Sequence, residues 1–574
     1  WELKFAASIC NLCPVGCNLT YNTRREAMSG GEIVIKRTMP RQNEQVNELW
    51  ICDKGRFVYH FTEDKARLTQ PLVRKQGELQ PASWEEALSL VAGKFSAAKA
   101  DLLTVVSGQL ANEDLYNLHT LTERLGGKSA LYTQMGGGDL TARAGLTPGS
   151  NLGDLGQGDA ILVVASDLEE EAPLWWLRVK QAAERGATLI VANPRPTKMD
   201  RQASFKLRYA YGQESQTIQK LPESEAGKAF ASAKNGVIFF GSEGLGLAGS
   251  QSLAQACTNL LLQTRHTGRA NNGLVGVWRR GNDQGAWDIG FRPLKALNAK
   301  VLYIAGADPA GDNPALVEAI QAAEFVVVQE LFLTETAQLA DVVLPAQAYT
   351  EREGTFTSAE RRVQRFYPAA RPKGQSWPDF EIAAQIGAQA GVSLKGRFPS
   401  IVFPQLAREV PGYGELTYQK LAEVHEQWPI VGREDLYYGG TGYANSQGLG
   451  VQLPTVGGAS FKDPAPPARP SGALVAVPIT RLYDHGSMVL PSKVLHPRLV
   501  EPYIAINPRD AEVQKAADGM LVSVNLAGVE ATVTVRVDEH VPAGIALIPR
   551  SVGVPIEAPI AIAIQIAEAF PTGD

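Results

Sequence analysis

Cys10-Asn-Leu-Cys13-Pro-Val-Gly-Cys17, joined after 34 intervening residues by Cys52-Asp-Lys-Gly-Arg-Phe57, is the stretch on which the reading of this chain turns. Four thiols gathered in one small N-terminal region suit a 4Fe-4S cluster, because each iron takes one soft sulfur ligand and tight turns aim neighbouring thiols at one centre. Structural zinc also takes four cysteines, but usually as two C-x2-4-C pairs, whereas the grouping here is three plus one. Disulfides are the third reading. The spacing favours the cluster, with Cys10, Cys13, Cys17 and Cys52 as its ligands and electron transfer as its chemistry. The fifth cysteine, Cys257, sits in the apolar helical pattern SQSLAQACTNLLL and reads as a buried, inert thiol. So few other cysteines suit a reducing compartment.

Outward from this region the chain is long enough for several domains, at 574 residues. Its 44% hydrophobic and 20% charged residues are those of an ordinary globular protein, and the net charge of -5 argues against a nucleic-acid partner. No apolar run reaches the length of a membrane span. The chain opens on Trp1, shows no signal segment, and reads as processed or partial.

Residues 1–65 are turn-rich and β-like, with GGEIVIKRT as a strand, and form the expected cluster domain. In PASWEEALSLVAGKF, Ser83 is an N-cap with Glu86 three residues on, and Ala87, Leu88, Val91 and Phe95 mark a core-facing stripe. Residues 66–461 alternate strands and helices. GDAILVVAS and ATLIVANPR flank a helix beginning near Pro173; AKVLYIAGADP and FVVVQELF flank one beginning at Pro314. Two such βαβ units imply parallel sheets covered on both faces, with ligands at the carboxyl ends of the strands, in the loops SDLEEEAP and GADPAGDNP.

Three motifs in this body invite functional readings. Gly244, Gly246 and Gly249 spell G-x-G-x-x-G after the apolar run VIFF, but no acidic residue follows at the ribose-reading distance. A tight strand-to-helix turn is therefore preferred over a nicotinamide site. The loop GRANNGLVGVWRRGNDQGAWDIG, residues 268–290, with Arg279 and Arg280, suits either a phosphate-bearing ligand or a buried structural loop. In DVVLPAQAYTEREGTFTSAERRVQRF, Glu351, Glu353 and Glu360 against Arg352, Arg361, Arg362 and Arg365 read as a solvated, salt-bridged face. The Pro-rich stretch at 462–472 marks a boundary, and 473–574 read as a small β-barrel with one helix at PRDAEVQKA. His60, His119, His266, His425, His485, His496 and His540 show no metal-ligand spacing and receive no role.

The order of the four cysteines, RLTQPL, SWEEAL, the two βαβ units, ADVVLP with EGTFTSAERRVQ and a terminal barrel resembles the molybdopterin oxidoreductase superfamily along essentially the whole chain. GNDQGAWDIG and the ERRVQ phrase most resemble the large iron–sulfur subunit of respiratory complex I, NADH:quinone oxidoreductase, without its N-terminal ferredoxin-like region. The resemblance implies an α/β body with parallel sheets, a small N-terminal Fe-S domain and a C-terminal β-barrel. It implies one 4Fe-4S cluster, no molybdopterin, and an electron-transfer and scaffold role with no active site of its own. The implied partners are the NADH-binding and Fe-S subunits of the peripheral arm, with membrane association only through the complex, on the cytoplasmic side of an energy-transducing membrane. The alternative is a catalytic molybdenum or tungsten bis-pterin oxidoreductase of the formate dehydrogenase type. Such enzymes present a metal ligand in the loop matching ALYTQMGGGDLTARAGLTPGSN, where this chain has no cysteine and offers only Ser150 and Asp139 as hard ligands. With Ser358 where relatives that bind the guanine nucleotide commonly have asparagine, the implied cofactor site is degenerate. Lys54, two residues past Cys52, resembles the lysine that lies between cluster and pterin in formate dehydrogenases, here read as a remnant of that conduit.

Overall fold

The computed structural model describes residues 3–27, 30–423, 448–465, 470, 472 and 474–566. His425 and residues 466–469 and 471 of the Pro-rich boundary lie outside the described residues.

Two largely parallel sheets build the body, the larger with an antiparallel edge formed by Leu72–Lys75 and Glu78–Pro81. AILVV (Ala160–Val164), VLYIA (Val301–Ala305) and FVVVQE (Phe325–Glu330) are buried at every position. Such unbroken apolar runs belong to strands covered on both faces. The five-stranded sheet pairs Ala160–Val164 in parallel with Thr188–Ala192 on one side and Gly236–Phe240 on the other. The seven-stranded sheet pairs Val301–Ala305 in parallel with Phe325–Glu330 and with Leu102–Val106. Each pairing expected within the two βαβ units is present. The chain interleaves the sheets: it starts the larger one at 72–131, builds the smaller one between 160 and 276, and returns to the larger one at 301–345.

Local signals act as read. Ser83 Oγ accepts from the Glu86 N–H at the start of the helix Trp84–Ala98, whose inner face buries Ala87, Leu88, Val91 and Phe95. Pro173 opens the helix Pro173–Glu184. The helix expected from Pro314 is reduced to a 3-10 turn, Pro314–Leu316, and the short helix Val317–Gln321.

The N-terminal domain is a three-stranded antiparallel sheet of Lys4–Ile9, Asn18–Glu26 and Glu32–Pro40. At the other end, seven short strands between Leu474 and Ile566 form one barrel-like sheet, with the expected helix at Pro508–Gln514. Leu521–Leu526 alternates exposed and buried residues, the pattern of a sheet with one wet face.

The charged segment 341–366 corrects the sequence reading. Glu351, Arg352, Glu360, Arg361 and Arg362 are buried, not solvated. Partners from distant segments meet their charges: Arg67 Nη2 donates to Glu351 Oε2 at 2.9 Å, Trp175 Nε1 to Glu360 Oε1 at 2.6 Å, and Arg361 Nη1 to Pro454 O at 2.6 Å. Arg352 Nη2 bridges Asp114 and Asp379. Alternating signs along a sequence cannot distinguish a solvated face from one whose counter-charges arrive across the fold.

Candidate iron–sulfur centre

Residues 10–17 join the ends of two paired strands. Ile9 stands opposite Asn18, and the Cys10 N–H donates to Cys17 O at 2.8 Å. Gly16 turns the loop at φ +68, where a side chain would be strained and its Cβ would lie 2.8 Å from Gln364 Nε2. Three distant segments pin the loop. Gly281 N–H donates to Asn11 O at 3.0 Å, Ala359 N–H to Pro14 O at 3.0 Å, and Gln364 Nε2 to Gly16 O at 2.8 Å. Cys52 is the N-cap residue of the short helix Asp53–Phe57, where burial raises its thiol and the nearby backbone N–H groups of Gly55 and Lys54 act in the opposite sense.

Cys10, Cys13, Cys17 and Cys52 line one cavity, joined by Lys54 and Asp484. Burial pushes all four thiols up, Cys13 to about 12, and their proximity raises Cys10, Cys13 and Cys17 further. Backbone N–H groups, those of Leu12 and Val15 among them, act in the opposite sense on each sulfur. Such a nest holds four protons or a positively charged inorganic core, and it disfavours four bare thiolates. Among the described residues no three His, Cys, Asp or Glu side chains close around a single ion. Cys257 is fully buried in the helix Leu247–Gln263, away from this group.

Other motifs resolve differently. At Gly244, φ is +74 and a Cβ would lie 2.2 Å from the Tyr211 ring, while Gly246 caps the helix Leu247–Gln263; this is the tight turn preferred from sequence. The 268–290 loop contains the buried strand Gly273–Gly276 and helix Asp283–Ile289, and it delivers Arg279 and Arg280 to the cluster cavity. Arg279 Nη1 donates to Gln134 Oε1 at 2.8 Å, and its Nη2 reaches Ser551 Oγ.

Two clefts flank the cavity at the carboxyl ends of the sheets. One, of about 600 Å³, is bordered by Ser107, Asp308, Asp312 and Glu330; the other, of about 730 Å³, by Arg195, Lys198, Arg201 and Arg536. Both are of ligand size. Neither hard ligand offered by the sequence borders either cleft. Ser150 Oγ is engaged with Thr147 O at 2.7 Å and the Asn271 N–H at 2.9 Å, and Asp139 with Gln251; neither lines the cluster cavity. The space beyond Lys54 holds Asp484, Arg279 and Arg550. Burial, with Arg279 beside it, lowers Arg550 to about 10. Asp484 and Tyr483, which close the site, were missed from sequence: in TRLYDHG they carry no local signal, and their partners lie 430 residues away.

A cysteine nest beside two largely parallel sheets and a terminal barrel defines an iron–sulfur chain built on a two-cleft α/β body. The chain belongs to the molybdopterin oxidoreductase family, whose model matches residues 67–389. Residues 3–60 match the 4Fe-4S domain described as NADH-ubiquinone oxidoreductase NDSU1/NuoG-like, a span that includes all four cysteines. The chain is 26% identical to the F420-dependent formate dehydrogenase subunit alpha of Methanocaldococcus jannaschii, over 96% of this chain and 95% of that one. It is 25% identical to an NADH-quinone oxidoreductase subunit of Rhizobium meliloti, over 96% of this chain and 71% of that one. Acetylene hydratase from Pelobacter acetylenicus shares the fold, with TM-score 0.65 at 15% identity, covering 95% of this chain and 92% of that one. The fold class expected from sequence is thus present. The narrower assignment to complex I is not singled out, since formate dehydrogenase chains align at least as well, and the family match lends no support to the expected absence of molybdopterin.

Proposed function

We propose that this chain is an electron-transfer iron–sulfur subunit in which Cys10, Cys13, Cys17 and Cys52 hold one 4Fe-4S cluster and the two-cleft body acts as scaffold. The observation that carries this reading is the convergence of four thiols on one cavity, which neither Ser150 nor Asp139 lines. When bound, the cluster supplies one-electron exchange. The chain's own residues fix the sulfurs through backbone N–H groups, exclude bulk water by burial, and place the cationic groups of Lys54, Arg279 and Arg280 around the site. On this reading the partners are the NADH-binding and Fe-S subunits of a complex I peripheral arm, on the cytoplasmic side of the membrane. Among the described residues no helix is long and apolar enough to cross a membrane.

A second reading is favoured by the names of the similar proteins and by the two ligand-sized clefts: a catalytic molybdenum or tungsten bis-pterin oxidoreductase of the formate dehydrogenase type. Elemental analysis and pterin extraction on anaerobically purified protein separate the two. The relay reading expects no stoichiometric molybdenum, tungsten or pterin and no formate-dependent dye reduction. Stoichiometric metal with pterin selects the second reading.

A further inference from the structure

Past the strand Leu474–Ile479, the C-terminal domain sends a segment across the mouth of the cysteine cavity. Two consecutive residues of it meet the two residues that follow Cys52. Tyr483 Oη donates to Asp53 Oδ2 at 2.8 Å, and Lys54 Nζ donates to Asp484 Oδ2 at 2.9 Å. Ser492 Oγ adds a third contact, donating to Phe57 O at 2.8 Å. The helix Asp53–Phe57 is therefore gripped along its length by a segment more than 400 residues away.

The ion pair is unlike a surface pair. The Lys54 and Asp484 side chains are only 11% and 16% exposed, and both line the cavity shared by the four thiols. Water screens them weakly, so each charge acts on whatever occupies the cavity. Arg481, three residues before Asp484, is neutralised separately by Glu170 at 3.1 Å. Asp484 is the carboxylate paired with Lys54, and Arg280 also acts on it. A cation at this site favours the reduced, more negative cluster, and an anion beside it opposes that effect.

We propose that Asp484 is a positioning residue of the C-terminal domain that balances Lys54 and thereby sets the reduction potential of the cluster. Leu482–Ser492 is then a redox-setting clasp, and movement of the C-terminal domain would be felt directly as a change in potential. The inference rests on the cluster assignment in the proposed function, and not on the choice between relay and catalytic roles.

The test is an EPR-monitored redox titration of the intact chain, reconstituted with iron and sulfide, in four forms: wild type, Asp484→Asn, Lys54→Met and the double variant. Asp484→Asn should shift the reduction equilibrium toward the reduced cluster by on the order of tenfold, which is 59 mV for a one-electron couple. Lys54→Met should shift it comparably the other way, and the double variant should return close to wild type because the two charges leave together. Tyr483→Phe removes a clasp bond without removing a charge, and it should move the potential less than either single variant. If Asp484→Asn fails to load, Lys54→Met against Lys54→Arg carries the same comparison, with only the methionine form displaced. Loaded single variants with unmoved potentials, or a double variant as displaced as a single one, would overturn the proposal. An iron-free, EPR-silent wild type would instead refute the cluster assignment itself.

Discussion

Replacing Arg352 by methionine tests how the body tolerates its buried charges. Arg352 Nη2 bridges Asp114 Oδ2 and Asp379 Oδ2, the latter at 3.2 Å, and Nε donates to Gln347 O at 3.3 Å; all three ionic side chains are 6% exposed or less. Methionine keeps much of the volume and removes the only cation that this ion-pair cluster contains. Breaking a buried pair by removing one partner costs about 3–5 kcal/mol, because the remaining charge stays desolvated. The cost should depend on pH, and the sign follows from Asp379. Burial, reinforced by Asp114, raises its carboxyl to about 7 even with Arg352 present. Below that pH Asp379 takes a proton, and the pair of carboxylates loses its repulsion. Losing Arg352, which holds the Asp379 carboxyl down, raises it further, so the variant's deficit should be larger at pH 8.5 than at pH 6. Differential scanning calorimetry of both proteins at the two pH values measures it, with Arg352→Met/Asp379→Asn expected to recover much of the loss at pH 8.5. A deficit below about 1 kcal/mol, the scale of an exposed ion pair, or one that does not change with pH, would refute the reasoning.

Other expectations follow from the same structure. Gly281→Ala places a Cβ 2.5 Å from the Asn11 backbone, so the loop that carries Cys10 and Cys13 must move; iron content after reconstitution should fall severalfold while Gly458→Ala, whose Cβ meets nothing, leaves it unchanged. Glu113, Glu171 and Glu330 are each raised by burial from 4.5 to about 7, so the folded state binds more protons than the unfolded one between those values, and the stability of the chain should decline as pH rises from about 4.5 to 7, then level off with respect to these groups; a stability that climbs through that range contradicts the assignment. Burial pushes the Cys257 thiol far up, so in native, iron-free protein it should resist alkylation, with mass mapping finding modification at Cys257 only after denaturation.

Much of the architecture was legible because the signals were local. Unbroken runs such as AILVV and FVVVQE mark strands covered on both faces, and Ser83, Pro173 and Pro508 stand where their helices begin. The cysteine spacing, too, pointed to one site, and the thiols do share one cavity. What escaped the sequence depends on residues brought together across the fold. The acids and arginines of 341–366 resemble a wet surface until Arg67, Asp114, Trp175 and Asp379 are placed against them. The interleaving of the two sheets is invisible to periodicity, since Leu102–Val106 reads alike whichever sheet it joins. The fate of Ser150 and Asp139 was equally hidden, because only packing aims the former at Thr147 and Asn271 and the latter at Gln251.

The most direct test of the central claim is a count of metal and sulfide on the anaerobically reconstituted chain, taken together with its low-temperature EPR spectrum after dithionite reduction. Four irons and four acid-labile sulfides per chain with one spin-half signal, lost in each of Cys10→Ala, Cys13→Ala, Cys17→Ala and Cys52→Ala but kept in Cys257→Ala, is the result expected. One zinc per chain, or a signal that survives loss of those four thiols, would contradict it.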